Sequence, residues 1–196
     1  MEYKYAIVIT GGIAVGKSTV KNLLYLHGYR CIDADVIAHK ILDSSYIDIA
    51  NMFGKKYIIE NKVDRKELGK LIFSNKEKKQ ILEEYIHPKI QQEIQQLASK
   101  EEQRKFTYFI DIPLFFETKK YDIKKSLVIY APKHIQLERL MLRDNINKNE
   151  ALSKINAQMD MEQKLKLGTY VIDNSKDFKH LQIECDIFLE KIKSKI

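Results

Sequence analysis

The chain has 196 residues, of which 44% are hydrophobic, and it carries a formal net charge of +7. This length fits one domain with an inserted or appended subdomain, and the hydrophobic content excludes a disordered chain. A positive charge can serve a polyanionic partner, either a nucleotide-like substrate or nucleic acid. The lysines are spread along the whole chain, however, so compositional drift explains the charge better than a nucleic-acid-binding surface does.

Cysteine usage and apolar runs bear on the cellular compartment. Cys31 and Cys185 are the only cysteines, and isolated thiols without a CxxC pair form neither a metal site nor a disulfide framework. The apolar run near the N-terminus is broken at once by glycines, unlike a signal peptide. No stretch approaches the roughly 20 apolar residues of a membrane span. We therefore expect a soluble, cytoplasmic protein without a membrane association.

The first elements are predicted to form a strand–loop–helix–strand unit. The run "YAIVIT" (Tyr5–Thr10) is continuously apolar and β-branched, as in a strand buried on both faces. A glycine-containing loop follows, and then a helix in which Val20, Leu23 and Leu24 recur at helical spacing before a stop at Gly28. The run "RCIDAD" predicts a second short strand, and a βαβ unit of this kind requires a parallel sheet.

From Val36 to about Lys105 the pattern is helical and polar. One helix is predicted from Asp64 and Glu67, which have the spacing of a capping box. A later helix contains Pro88, which we expect to break or restart it. An insertion of helices between two strands of a sheet is a natural position for a substrate-binding lobe.

The remainder of the chain returns to strands. The runs "FTYFID", "SLVIYAP" and "TYVIDNS" predict three more strands, "KHIQLERLMLRD" a helix, and Asn147 and Glu150 another helix cap. We predict an α/β fold with a five-stranded parallel sheet flanked by helices, a helical lobe between strands 2 and 3, and a helical lid. The predicted boundaries are a core of 1–35, 106–138 and 168–196, an insertion of about 36–105 and a lid of about 139–167.

Residues Gly11 to Ser18 read "GGIAVGKS" and fit the phosphate-loop pattern GxxxxGK[ST]. With an apolar strand before it and a helix beginning at the lysine, the pattern strongly indicates a site for nucleotide phosphates. Backbone N–H groups and the helix N-terminus would face the phosphate oxygens. Lys17 would reach the β- and γ-phosphates, and Ser18 would hold Mg²⁺. The loop alone does not distinguish a kinase from a GTP switch or a motor.

Two carboxylates follow the second predicted strand. Asp33 and Asp35 come at the edge of the sheet where open α/β proteins bind ligands, so we expect them to face the phosphates. One could accept a proton from an acceptor hydroxyl, and the other could hold metal-bound water. For Asp35 a helix N-cap is an equally good interpretation, whereas for Asp33 a functional role is favoured.

Arg139 and Arg143 lie four residues apart, on one face of a predicted helix. A closing lid could bring both guanidinium groups to the charge that develops in phosphoryl transfer. The alternative is a solvated helix face with Glu138 and Asp144 as salt partners. Asp111 resembles the acidic end of a Walker B strand, and it would either bind Mg²⁺ through water or cap the end of its strand.

Two further patterns invite a functional interpretation. His87 precedes Pro88, and substrate contact or a helix restart is favoured over a catalytic base. Residues 61–64 read "NKVD", like the guanine-reading NKxD of GTPases, but the chain contains no DxxG and this run precedes a helix. We interpret it as a turn and a helix cap, and reject a GTP switch.

Taken together, these motifs resemble the dephospho-coenzyme A kinase family. The resemblance runs from about Ile7 to Ser175 and rests on "TGGIAVGKSTV", "IDADVIAH", "VDRKELGKLIFSN", "IHPKIQQEI", "IPLFFE", "QLERLMLRD" and "YVIDNS". It implies the fold of the P-loop nucleotide kinases and the last step of coenzyme A synthesis. In that step ATP, with Mg²⁺, phosphorylates the ribose 3′-hydroxyl of dephospho-CoA.

The resemblance also implies roles for individual residues. Asp33 is the candidate base, and Lys17, Arg139 and Arg143 act on the transferred phosphate. The substrate-binding candidates are Asp35, Asp64, Arg65, His87 and Pro88. The ATP-binding candidates are Gly11, Gly12, Ile13, Ala14, Val15, Gly16, Lys17, Ser18 and Thr19. Dephospho-CoA and ATP are the expected partners, and we expect a monomer without a nucleic-acid partner.

The chain departs from the family pattern at a few positions. Ala14 and Val15 stand where the loop usually has Gly-Ser, and Ala14 would be strained if the loop needs a positive φ there. His39 stands where Arg is common, and Gly168-Thr169 where Ala-Asp is frequent. Two other functions remain open: a P-loop kinase for another nucleoside or nucleotide, and a nucleic-acid-binding ATPase.

Overall fold

The computed structural model describes residues 2–118 and 120–193. In chain order the elements are β1 (Ala6–Gly11), α1 (Lys17–Leu26), β2 (Cys31–Asp33), α2 (Ala34–Ser44), α3 (Tyr46–Phe53), a 3₁₀ turn (Lys55–Tyr57), β3 (Ile58–Ile59), β4 (Lys62–Val63), α4 (Arg65–Ser74), α5 (Lys76–Glu102), β5 (Tyr108–Asp111), α6 (Phe115–Thr118), β6 (Ser126–Tyr130), α7 (Lys133–Asp144), α8 (Lys148–Asn156), α9 (Met161–Leu167), β7 (Tyr170–Asp173) and α10 (Phe178–Lys193). The chain divides into two compact units: residues 33–100 form one, and the segments before and after them form the other.

The predicted five-stranded sheet is confirmed. Its strand order is β2-β5-β1-β6-β7, so the first strand lies at the centre. β1 pairs in parallel with β5 and with β6, and β6 pairs in parallel with β7. Every residue of β1 is buried, as expected for a continuously apolar strand whose two faces are both covered by helices.

The core of the sheet-containing unit extends to the loop after β1. Ile9, Val20 and Phe188 belong to one cluster of buried side chains together with Val15, which is completely buried. Cys185 lies in the same cluster, and burial raises the pKa of its thiol to about 12. Val15 therefore anchors the middle of the loop in the hydrophobic core.

Residues 33–100 have a smaller core of their own. Its buried residues are Ile49, Tyr57, Val63 and Leu68. The helical pattern of this segment is interrupted by a short antiparallel hairpin of β3 and β4, which the sequence did not predict. The hairpin turns at Glu60 and Asn61, whose φ angles are 49° and 60°, as in turns that match the twist of paired strands. The turn-and-cap interpretation of residues 61–64 is confirmed, because Asp64 caps α4.

The predicted break at Pro88 is wrong. α5 runs without interruption from Lys76 to Glu102, with Pro88 in its interior. An interior proline removes one main-chain hydrogen bond and costs about 3 kcal/mol, which regular packing on both sides of it can offset. The residues that α5 buries, at intervals of one turn through the proline, are Ile86, Ile90, Ile94 and Ala98.

The segment predicted as a lid consists of the end of α7 together with α8 and α9. The predicted cap of α8 is confirmed as a full capping box between Asn147 and Glu150. Asp144, at the end of α7, accepts from Lys154 of α8 at 2.9 Å. Within residues 2–118 and 120–193, no helix is both long enough and apolar enough to cross a membrane.

Candidate active site

The phosphate loop joins the central strand to α1 through two left-handed residues. Ala14 has a φ of 60° and Gly16 a φ of 88°. Residues of this kind turn successive N–H groups toward one concave side, which suits an anion. The loop thus needs a positive φ at position 14, and the alanine there is strained as expected for a residue with a Cβ.

Glycine is required at position 16 because of the left-handed backbone and because a side chain has no room there. A Cβ at this position would lie 2.1 Å from Nδ2 of Asn174. The Asn174 side chain is buried, and its Nδ2 donates to the carbonyl oxygen of Val15 at 2.7 Å. Asn174 thus supports the loop from behind. A signal was available in the sequence, because Asn174 lies near the end of the last predicted strand run, "TYVIDNS", at the carboxyl edge of the sheet.

Lys17 begins α1, and its ammonium group pairs with the carboxylate of Asp111. The second oxygen of Asp111 accepts from Nζ of Lys21 at 2.7 Å, and the carboxylate side chain is only 4% exposed. A buried carboxylate requires such partners. The strand-cap interpretation of Asp111 is wrong, because this side chain reaches α1. It holds Lys17 beside the loop.

The two lid arginines occupy different surroundings. Nη1 of Arg139 is buried and has no hydrogen-bond partner within the described part of the chain. It lies 4.0 Å from the position of a Cβ built on Gly16. A buried, unpaired guanidinium nitrogen beside the loop fits an anionic ligand such as a nucleotide phosphate.

Arg143 is exposed and donates from Nε to Oδ1 of Asp144 at 2.8 Å. Hydrogen bonds from Arg143 and Lys154 lower the pKa of Asp144 to about 2. This ion pair is the contact expected of a solvated helix face. A role for Arg143 in phosphoryl transfer stays a prediction.

The donor atoms near the loop fit a magnesium ion that arrives with its nucleotide. Ser18 is exposed in the first turn of α1. Mg²⁺ prefers oxygen ligands and is commonly held by phosphates and water with one or two protein oxygens. In residues 2–118 and 120–193 there is no group of three or more His, Cys, Asp or Glu that could hold a metal ion. Ser18 can thus supply one ligand, with the phosphates supplying others.

Two side chains form hydrogen bonds with the main chain of the loop, and the sequence patterns did not indicate either of them. Oε1 of Gln158 accepts from the N–H of Ile13 at 2.8 Å, and Nζ of Lys164 donates to the carbonyl oxygen of Gly11 at 3.0 Å. Lys164 is completely buried. Nothing in the sequence distinguishes it from the other lysines of its amphipathic segment, so no sequence signal could have found it.

In residues 33–100 two of the three predicted carboxylates, Asp33 and Asp64, act as helix caps. Oδ1 of Asp33 accepts from the N–H groups of Asp35 and Val36, both at 3.0 Å. The N-cap interpretation of Asp35 is therefore wrong. The residue before the helix is Asp33, whose extended backbone lets its side chain reach back to the first turn. Asp64 does the same for α4, accepting from Lys66 and Glu67 at 3.1 Å.

The other predicted substrate-binding residues lie on helices of this segment. Arg65 is exposed at the start of α4. His87 is half-buried and Pro88 exposed in α5, and His39 is exposed on α2. Their roles toward a substrate stay predictions.

A phosphate loop between a central parallel strand and its following helix, with a lysine held by a buried carboxylate on the neighbouring strand, defines a P-loop fold of the kinase type. The family model described as dephospho-CoA kinase matches residues 5–180. The chain therefore belongs to the dephospho-CoA kinase family.

Similar proteins agree with this assignment. Dephospho-CoA kinase of Sulfurimonas denitrificans is 52% identical, covering 100% of this chain and 98% of that protein. The Wolinella succinogenes enzyme of the same name is 42% identical over 96% of this chain and 95% of its own length. The structure of dephospho-CoA kinase from Campylobacter jejuni covers 100% of both chains at 35% identity, with a TM-score of 0.78.

Proposed function

We propose that this chain transfers the γ-phosphate of ATP to the 3′-hydroxyl of the ribose of dephospho-CoA, giving coenzyme A and ADP. This is the last step of coenzyme A synthesis. The observation that carries the proposal is the phosphate loop, with the buried and unpaired Nη1 of Arg139 beside Gly16, in a chain of the dephospho-CoA kinase family. The enzyme is a phosphotransferase with an alcohol acceptor.

The nucleotide side of the reaction belongs to residues 11–19. Their N–H groups and the N-terminus of α1 bind the phosphates. Lys17 turns from Asp111 to the β- and γ-phosphates when ATP enters, while Lys21 keeps the Asp111 carboxylate paired. This exchange leaves no buried charge without a partner, which would otherwise be strongly destabilising.

The transferred phosphate is stabilised by positive charge. Arg139 supplies the buried guanidinium nitrogen, and Arg143 joins it after giving up its ion pair with Asp144. Charge that is preorganised around the transferring group is a large part of catalysis in phosphoryl transfer. Ser18 would hold Mg²⁺ together with the phosphates, and the bound ion would neutralise further phosphate charge.

The acceptor side belongs to residues 33–100. Asp33 accepts the proton of the 3′-hydroxyl, and Asp35, Asp64, Arg65, His87 and Pro88 contact dephospho-CoA. As the cap of α2, Asp33 accepts hydrogen bonds from the N–H groups of Asp35 and Val36. These hydrogen bonds hold its carboxylate in one orientation, which favours proton transfer. The chain acts as a cytoplasmic monomer without a nucleic-acid partner, consistent with its scattered lysines.

A coupled ADP-release assay tests the function. The purified chain is given MgATP with dephospho-CoA, adenosine or AMP in parallel. We expect ADP release with dephospho-CoA and only background release with the other two. Equal or faster release with adenosine or AMP would favour a kinase for another nucleoside or nucleotide and would overturn the proposal.

The role of Asp33 is tested by Asp33→Asn, because asparagine caps a helix as well as aspartate does. We expect kcat to fall by about 100-fold or more while ATP affinity and the melting temperature stay near those of the parent chain. The control is Asp177→Asn, since Asp177 accepts from the N–H of His180 at the start of α10 in the same manner. Near-normal turnover in Asp33→Asn would show that Asp33 is not the base of the reaction.

A further inference from the structure

Lys164 is a charged side chain with no contact to solvent. It is 0% exposed, and Nζ lies 2.8 Å from Oε1 of Glu117, 3.0 Å from the carbonyl oxygen of Gly11 and 3.4 Å from that of Pro113. Burying an ammonium group is costly unless each of its three donors finds an acceptor. These three acceptors meet that requirement. One belongs to the phosphate loop, and another to the turn that follows Asp111.

Gln158 bonds the same loop one peptide further on. It lies between α8 and α9, and its Oε1 accepts from the N–H of Ile13 at 2.8 Å. The carbonyl of Gly11 and the N–H of Ile13 are thus both held, one on each side of Gly12. The direction in which the loop's remaining N–H groups point depends on these two peptide planes, and a phosphate cradle consists of such N–H groups.

Glu117 joins the two contacts into one network. Its Oε1 pairs with Lys164 and accepts from the N–H of Met159 at 3.2 Å. Met159 is the residue after Gln158 in the chain. The glutamate therefore fixes both the ammonium group and the segment that carries the glutamine.

We propose that Lys164 and Gln158 are positioning residues for ATP, which hold the phosphate loop preformed through its main chain. In this role both side chains act on the loop's main chain, at the N–H of Ile13 and the carbonyl oxygen of Gly11, and a contact with the nucleotide is not required. A loop already in its binding conformation does not lose conformational entropy when the phosphates enter, so its affinity for them is higher. This inference rests on the proposed binding of ATP by residues 11–19.

A merely structural role makes a different prediction. If the two side chains only fill and satisfy the core, their loss lowers the melting temperature and leaves the affinity of the folded protein for ATP unchanged. If they position the loop, their loss weakens ATP binding in the folded protein and leaves the dephospho-CoA affinity unchanged. Stability and ATP affinity therefore separate the two roles.

The primary variant is Gln158→Leu, which removes the acceptor for the Ile13 N–H without removing a charge. MgATP binding is measured by calorimetry without acceptor substrate, well below the melting temperature of every protein. We expect the Kd for MgATP to rise about tenfold, with the KM for dephospho-CoA changed by less than about twofold. The matched control is Gln163→Leu, an exposed glutamine of α9, for which we expect no change in either quantity.

Lys164→Met supplies a second test, and Lys164→Met with Glu117→Gln avoids leaving an unpaired buried carboxylate. Lys166→Met, on the exposed face of the same helix, is the control. We expect the effects of Gln158→Leu and the Lys164 variants on the Kd to be non-additive, as for residues that act through one loop.

The inference is overturned if Gln158→Leu melts at a lower temperature but binds MgATP like the parent chain, or if the KM values of both substrates rise together. The results that would overturn this inference differ from those that would overturn the proposed function. A parent chain that binds MgATP and phosphorylates dephospho-CoA upholds the function whatever Gln158→Leu does. A parent chain that does not bind MgATP would overturn both.

Discussion

The phosphate loop and the helices of residues 33–100 are held in shape by contacts of different range. Side chains that bond the loop's main chain come from 145, 153 and 159 residues further along, at Gln158, Lys164 and Asn174. In residues 33–100, Asp33 and Asp64 bond N–H groups two and three residues after themselves. The loop's conformation therefore depends on the completed fold, whereas the helix ends of the other segment depend on their immediate neighbours.

Replacing a glycine by alanine in the phosphate loop and in residues 33–100 gives the largest expected contrast in stability. Gly16→Ala puts a Cβ at a φ of 88° and 2.1 Å from Nδ2 of Asn174. We expect a loss of roughly 3 kcal/mol or more in the free energy of unfolding, together with loss of ATP binding. Gly69→Ala, inside α4 with nothing within 4 Å of the new Cβ, should instead stabilise by about 0.5–1 kcal/mol.

Urea titrations of both glycine variants, with MgATP calorimetry, check this contrast. If the two substitutions changed stability in the same direction, the loop would be less constrained by Asn174 than the geometry indicates.

Removing Asn174, the distant residue that supports the loop, has the next largest expected effect on stability. Asn174→Ala deletes the donor to the Val15 carbonyl in a buried site. We expect about 2 kcal/mol of destabilisation, since a buried acceptor loses its partner, and weaker ATP binding. Thermal melts with and without MgATP measure both quantities. A variant that melts like the parent and binds MgATP equally well would contradict the role of Asn174 as support for the loop.

Removing a local support should cost less. Asp64→Ala deletes the N-cap of α4, which accepts from Lys66 and Glu67. We expect about 1 kcal/mol of destabilisation. Asp64→Asn is the matched variant and should change stability by only a few tenths of a kcal/mol, because asparagine caps equally well. Equal losses in the two variants, measured by urea unfolding, would show that charge and not capping is responsible.

The smallest expected effect concerns the strained alanine of the loop. Ala14→Gly relieves a left-handed backbone at a φ of 60°, but it also increases the entropy of the unfolded chain. The net gain in stability should be about 0.5 kcal/mol. Ala14→Ser, which retains a Cβ, is the control and should give no gain. Destabilisation of Ala14→Gly in a urea titration would mean that neighbouring contacts already compensate the strain.

The same difference in range explains which predictions held. The five strands and the loop could be predicted because apolar runs and the GxxxxGK[ST] pattern are local features. The caps at Asp64 and Asn147 were predictable for the same reason. The predicted break at Pro88 was wrong because packing along α5 overrides the local helix-breaking tendency of proline. The hairpin that turns at Glu60 and Asn61 was not predicted, because the pattern of the surrounding segment is helical.

The candidate site shows the same limit at the level of single residues. The position of Lys17 at the start of α1 could be predicted from a motif, and that of Arg139 on α7 from helical spacing. Their roles toward ATP stay predictions. The pairing of Lys17 and Lys21 with Asp111 depends on β5 lying beside β1. The strand order that brings them together is a property of the assembled sheet.

By itself, the sequence determined the class of fold, the phosphate loop and the family, because each is encoded in short runs of residues with a definite pattern. Only the tertiary structure decided that Lys164 lies buried against Gly11, that Asn174 excludes a side chain at Gly16, and that Arg139 and Arg143 have different surroundings. The physical reason is that a lysine, an asparagine or an arginine has the same local preferences on a surface as in a core. Its role is set by which distant acceptors and charges the folded chain brings to it.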